Sequence, residues 1–269
     1  MFGKKEDPKV LTRQGINMLR KNQPKAAAVL LGHAIKQDPN NWQAQFSRGI
    51  AFNQLGKYSD AITCFNEALG LDPENVTALN NKAIAMAELG DTDGADLHYK
   101  KAIKLDQRYA PAHFNLGVLL DRLGRHEEAI ASLETAVRLN SGKSAPKFYA
   151  GIVYGKLGRH EEALKCFRTV RKSEHGHADA ELHEGIELAE LGRHKEAQKI
   201  YEQISEHHQG NAPLEYAKAR SFAAVGEYDR AADRLQAAIK KDSKTVKRWI
   251  AEEKMFDSML TDPKYSKLL

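Results

Sequence analysis

The sequence predicts an all-α protein made of stacked helix pairs, and three observations predict it. The chain of 269 residues repeats every 34 residues from Pro8 to Thr245 without an insertion. Place twenty of every repeat is alanine (Ala27, Ala61, Ala95, Ala129, Ala163, Ala197, Ala231), and place eight is glycine or alanine, from Gly15 to Ala219. Place fifteen is glycine in six repeats, Gly56 to Gly226, and Asn22 in the first. Small residues at fixed offsets let two helices approach closely, and a glycine between them breaks the helix.

Taken in order, residues 1–7 form a tail. Seven units follow at 8–41, 42–75, 76–109, 110–143, 144–177, 178–211 and 212–245, and residues 246–269 close the chain. Each unit holds about fourteen residues with helical spacing, a break, and about fifteen more. In the fourth, Leu116, Gly117 and Leu120 share a face of the first helix, while Ala129, Leu133 and Ala136 line the second. Place twenty-four is always large (Leu31, Phe65, Tyr99, Leu133, Phe167, Tyr201, Leu235) and fills the space beside the small residues. Units one and two stop at "DPNN" and "DPEN", where Pro39 and Pro73 disfavour helix at the residue before. In the closing segment Trp249, Ile250, Phe256, Met259 and Leu260 read as a helix ended by Asp262–Pro263. It caps the last unit, with Tyr265, Leu268 and Leu269 tucking back.

This pattern resembles the tetratricopeptide repeat, a 34-residue helix–turn–helix, over Pro8–Thr245. The resemblance implies a right-handed α-solenoid whose first helices line a concave face. Gln45 and Arg48 depart from the usual residues at places four and seven. The proline at place thirty-two is missing after the second unit.

A His-Glu-Glu triplet in "LGRHEEAI" and "LGRHEEAL" looks like chemistry, but His126, His160 and His194 all stand at place seventeen, where Tyr58 and Tyr228 stand in other units. A zinc protease motif needs a second His four residues on, and those places hold Ile130, Leu164 and Gln198. The triplet reads as architecture: the histidine caps the turn and packs between helices, and the acids favour the second helix's N-terminus.

The resemblance implies that places two, five, six, nine, twelve and thirteen face the groove. The peptide-binding candidates there are Phe46, Ile50, Ile84, Phe114, Val118, Phe148, Ile152, Leu182, Ile186 and Tyr216. Polar candidates are Asn80, Asn81 and Asn115 for hydrogen bonds to a ligand backbone, with Asn53, Arg122 and Lys156 at the rim. The apolar columns read either as an exposed groove or as inter-repeat packing. A groove of this kind suits an amphipathic helix or an extended apolar segment. It lacks the lysine and asparagine columns of the carboxylate-clamp branch of the family. His175, His177, His207 and His208, with Asp179 and Glu206, are the one cluster of metal-ligand type. Flexible polar loops do not supply closed tetrahedral geometry, so no metal is expected.

The totals agree with a binding protein. Hydrophobic residues make up 42% of the chain, enough for a core. The net charge of +5 is the small difference between 41 basic and 36 acidic residues. The basic residues gather at the ends, Lys4 to Lys25 and Lys240 to Arg248. No apolar run approaches the roughly 18 residues that span a bilayer. Cys64 and Cys166 fall three units apart, too far for a disulfide, which points to a reducing cytoplasm. No phosphate loop, nucleophile–base pair or cofactor motif is present, so the chain is expected not to be an enzyme and to need no cofactor. The sequence therefore points to a non-catalytic scaffold that holds a peptide or amphipathic helix of a partner protein. The alternative is an adaptor on ribosomal or other nucleic-acid assemblies that works through its basic ends. Self-association through the C-terminal helix is a third use of the same surfaces.

Overall fold

Each repeat folds as two helices because its apolar residues fall at helical spacing and a residue with left-handed backbone separates them. In the computed structural model, which describes residues 6–140, 142–174, 177–207 and 210–266, the helices follow this frame. The pairs are α1 (Pro8–Arg20) with α2 (Pro24–Gln37), α3 (Trp42–Gln54) with α4 (Tyr58–Leu71), α5 (Val76–Glu88) with α6 (Thr92–Leu105), and α7 (Ala110–Arg122) with α8 (His126–Leu139). They continue as α9 (Ser144–Lys156) with α10 (His160–Ser173), α11 (Ala178–Glu190) with α12 (His194–His207), and α13 (Ala212–Ala224) with α14 (Tyr228–Lys241). The chain divides into two compact units, residues 1–141 and 142–269. The first holds α1–α8, the second everything from α9 onward.

The turn within each pair is a Schellman motif. At the α7–α8 turn Gly124 has φ +74°; its N–H donates to the Asp121 carbonyl at 3.0 Å, and the Arg125 N–H donates to the Leu120 carbonyl at 2.9 Å. In the first repeat Asn22 makes the same turn at φ 55°, the one non-glycine residue with positive φ among those described. Asparagine tolerates this region better than other L-residues. Gly124→Ala is therefore expected to cost about 1–2 kcal/mol, because a Cβ is crowded in the left-handed region, whereas Asn22→Gly should cost nothing. Urea titration of both variants checks this, and an unchanged midpoint for Gly124→Ala would sink the argument.

Packing within a pair is as close as the small-residue columns require. All seven place-twenty alanines are fully buried, and the seven large residues at place twenty-four are at most 3% exposed. A Cβ built on Gly117 would lie 2.7 Å from Leu133 Cγ, and one on Gly49 2.6 Å from Phe65 Cε1. The place-eight glycine is thus the seat of the large side chain from the second helix. The proline at place thirty-two is dispensable. After α2, α6 and α14 alike, the next residue (Asp38, Asp106, Asp242) leaves helical geometry while its N–H still bonds a buried alanine carbonyl.

The closing segment differs from the single helix expected. α15 (Ser243–Glu252) ends early, a 3-10 turn follows at Lys254–Phe256, and α16 (Asp257–Leu260) is one short turn. Glu253 makes the break by accepting the Met255 N–H on its side chain at 3.3 Å. The bend carries Phe256 and Met259 under the last pair, where they bury with Val246, Ile250, Phe222 and Leu235. Tyr265 follows, its hydroxyl donating to Asp229 at 2.6 Å. The capping role holds, in a broken rather than a continuous form. Leu268 and Leu269 lie outside the described residues.

Candidate functional site

In the first unit α1 and α3 build a face with two adjoining hollows. Ile16, Leu19, Trp42, Phe46 and Ile50 line a hollow of about 530 Å³. A second hollow of about 610 Å³ adjoins it, bordered by Lys9, Thr12, Arg13 and Arg20, and the two share Ile16, Arg20, Trp42 and Gln43. Trp42 is 37% exposed, while Ile16, Phe46 and Ile50 are half-buried. Farther along the same unit, Ile84, Asn115, Val118 and Arg122 meet Tyr99 around a recess of about 120 Å³, where Arg122 pairs with Glu88 at 3.2 Å. Phe114 on α7 is half-buried.

The asparagines expected to face a ligand are used inside the fold. Asn80 is buried, and its side-chain carbonyl accepts a hydrogen bond from Asn115 Nδ2 at 2.9 Å, which ties α7 to α5. Asn53 Nδ2 donates to the Asn81 carbonyl at 3.2 Å, and Asn81 Nδ2 donates to the Thr77 carbonyl at 2.8 Å. A buried amide left without a partner is costly, so the buried Asn80 bonds its neighbour on α7.

In the second unit the aromatic candidate sits in a cluster. The Phe148 ring lies 5.6 Å from Phe167, 5.2 Å from His177 and 5.6 Å from His183. Burial holds the His183 imidazole below its ordinary pKa. Ile152 is half-buried on α9, and Lys156 is exposed at its end. Leu182 and Ile186 pack beside Tyr201 and Leu188. Ile186 also joins Tyr216, Arg220 and Trp249 around a hollow of about 360 Å³. The apolar columns are thus half-buried: each side chain packs sideways and leaves one edge toward solvent.

At the two His-Glu-Glu turns, and at the His-Lys-Glu turn of the sixth repeat, an arginine and a glutamate pair within the fold. Arg125, Arg159 and Arg193 are the residues before α8, α10 and α12, and they pair with Glu128 at 2.6 Å, Glu162 at 2.9 Å and Glu196 at 2.7 Å. The arginines hold those carboxyls below the usual range, and such solvent-exposed pairs add little stability. The histidines are first helical residues rather than caps. His126 Nδ1 lies 3.0 Å from Asp121 and His160 Nδ1 2.8 Å from Glu187, whose pKa burial raises. Of the loop histidines, His175 and His208 and the side chains of Glu206 and His207 lie outside the described residues. His177 caps α11, its Nδ1 accepting the Ala180 N–H at 3.2 Å.

The sequence reading of the groove passed over Lys9, Arg13, Leu19, Arg20 and Trp42. The signal was present, since the first four stand at places two, six, twelve and thirteen, the same columns that supplied the other candidates.

Family models described as "TPR repeat" match residues 49–90 and 85–124, and models described as "Tetratricopeptide repeat" match 110–143, 150–212 and 188–251. The chain belongs to the tetratricopeptide repeat family. Its fold is the α-solenoid of that family. A tetratricopeptide repeat protein from Parabacteroides merdae superposes with a TM-score of 0.65 at 19% identity, over 90% of this chain and 96% of that one. Pseudomonas aeruginosa PilF gives 0.67 at 20% identity, over 77% and 94% of the two chains. PilW, described as a type IV pilus biogenesis factor, gives 0.67 at 20% identity, over 74% and 92%. At these identities the likeness is one of fold. No curated protein matches the sequence significantly. No helix among the described residues is long and apolar enough to cross a membrane.

Proposed function

We propose that this tetratricopeptide repeat protein is a non-catalytic adaptor that holds an apolar segment of a partner protein while a multiprotein complex assembles. The observation that carries this reading is the hollow between α1 and α3, where Ile16, Trp42, Phe46 and Ile50 offer apolar edges on a framework held from behind by buried alanines. Side chains that are packed on one flank and open on the other bind at low entropic cost, because their rotamers are already fixed. A reducing cytoplasm suits the chain's two free thiols, one of them the buried Cys64, which burial pushes up to a pKa of about 11.

Partners captured from the native host and read by mass spectrometry test the proposal. Trp42→Ala together with Ile50→Ala, with helicity confirmed by circular dichroism, is expected to weaken the specific partner at least tenfold, since central apolar anchors carry most of the binding energy. Equal capture by the double variant would refute it. Capture that instead collapses on raising the salt and ignores Trp42 would favour nucleic acid as the ligand.

A further inference from the structure

The wall of the α1–α3 hollow has a chemistry of its own. Lys9, Arg13, Ile16 and Arg20 follow one another at i, i+4, i+7 and i+11 along α1, so three cations and one aliphatic side chain form a single stripe. All three cations are exposed and border the hollow. None of them forms an ion pair among the described residues, although cations elsewhere in the unit do, such as Arg122 with Glu88. The one carboxylate on this lining, Asp38, is engaged in the turn before α3, accepting the Asn40 N–H at 3.2 Å. From Lys9 to Arg20 the stripe runs about 16 Å at the helical rise of 1.5 Å per residue. Beside it lies the apolar floor of Trp42, Phe46 and Ile50.

We infer that the occupant of this hollow is an acidic amphipathic helix of a partner protein. Its aliphatic or aromatic face lies on Trp42, Phe46 and Ile50, and a row of Asp or Glu along its edge faces Lys9, Arg13 and Arg20. The inference rests on the apolar docking proposed above and adds the sign of the partner's charge. A cationic stripe next to an apolar floor rejects a basic helix by like-charge repulsion and speeds the approach of an acidic one.

Three synthetic helical peptides of one length test it with the full chain. They share a Leu/Phe face and differ only in an edge of Glu, Gln or Lys, and binding is read by fluorescence anisotropy of a label on the peptide. The Glu peptide is expected to bind about tenfold more tightly than the Gln peptide at 0.15 M salt, three exposed charge pairs being worth about that much. The Lys peptide should bind weakest. Replacing the exposed Lys9, Arg13 and Arg20 together by glutamine, with helicity confirmed by circular dichroism, should bring the Glu peptide down to the Gln value and leave the Gln peptide unchanged. Equal binding of the three peptides overturns the charge assignment and leaves the apolar docking standing. Binding by none overturns both. A single-stranded RNA oligonucleotide that binds more tightly than the Glu peptide and is lost in the same triple variant assigns the stripe to nucleic acid and overturns the inference.

Discussion

Replacing Arg168 and Arg171 together by alanine is expected to destabilise the protein by about 3–5 kcal/mol, the usual cost of leaving a buried charge without its partners. The charge is Glu184. It sits on α11 at 1% exposure, with Arg168 Nε 3.0 Å from Oε1 and Arg171 Nε 2.8 Å from Oε2. The second contact is close enough for an ion pair but off line for a hydrogen bond, so the two arginines are not equivalent. Both reach from α10 and keep about a third of their side chains in solvent, 38% and 34%. That asymmetry fixes the ranking. Glu184→Leu removes the buried member and leaves two arginines that can turn to water, so it should cost within about 1 kcal/mol, as expected when an apolar residue of similar size takes the buried site. Urea unfolding of the two variants measures the difference, and a Glu184→Leu loss larger than that of the double arginine variant would reverse the assignment.

That triad also shows where the sequence stops being readable. The alanine, glycine and large-residue columns declared the helix pairs directly, because each column reports one contact or one turn that recurs from repeat to repeat. Glu184 stands at place seven, a position that carries Arg48, Lys82 and Lys218 in other repeats, and the column alone does not say which of these charges is buried. Its partners lie 13 and 16 residues earlier, on the second helix of the preceding pair, so burial and pairing become visible only when the pairs stack. Lys218 repeats the lesson: it is buried and donates to Ser205 Oγ at 2.6 Å, 13 residues back. Asn80 shows the converse: a polar residue in a groove column reads as facing outward, yet it is buried and its side chain accepts a hydrogen bond from Asn115. The broken closing helix was legible in part. From Ile250 the next apolar residues in register would be 253 or 254, and those are Glu253 and Lys254, a gap that a continuous helix does not bridge.

The contact that defines each repeat can be tested by reversing the sign of a substitution. Phe167 is fully buried, stacked 5.1 Å from His183 and edge-on to Phe148, and its Cζ would lie 2.8 Å from a Cβ built on Gly151. Phe167→Ala is expected to cost about 3–5 kcal/mol, the lost transfer energy plus the cavity left between α9 and α10. Gly151→Ala alone introduces two conflicts, with the Phe167 ring and with Cys166 Cβ at 3.1 Å. Overpacking of this kind costs about 1–3 kcal/mol, partly offset by roughly 1 kcal/mol of gained helix propensity. With Phe167 already alanine, the ring is gone and the added methyl enters the vacated space, so Gly151→Ala should become stabilising. The pairs Ala83 with Tyr99 and Ala219 with Leu235 show that the fold accepts a methyl at place eight when the neighbouring side chain is placed to allow it. A double-mutant cycle measured by urea unfolding should therefore give a coupling of about 1–3 kcal/mol between residues 151 and 167, where independent sites would add within roughly 0.5. Simple additivity would mean that the glycine column answers to backbone conformation, and that the close seat for the large side chain does not set the repeat.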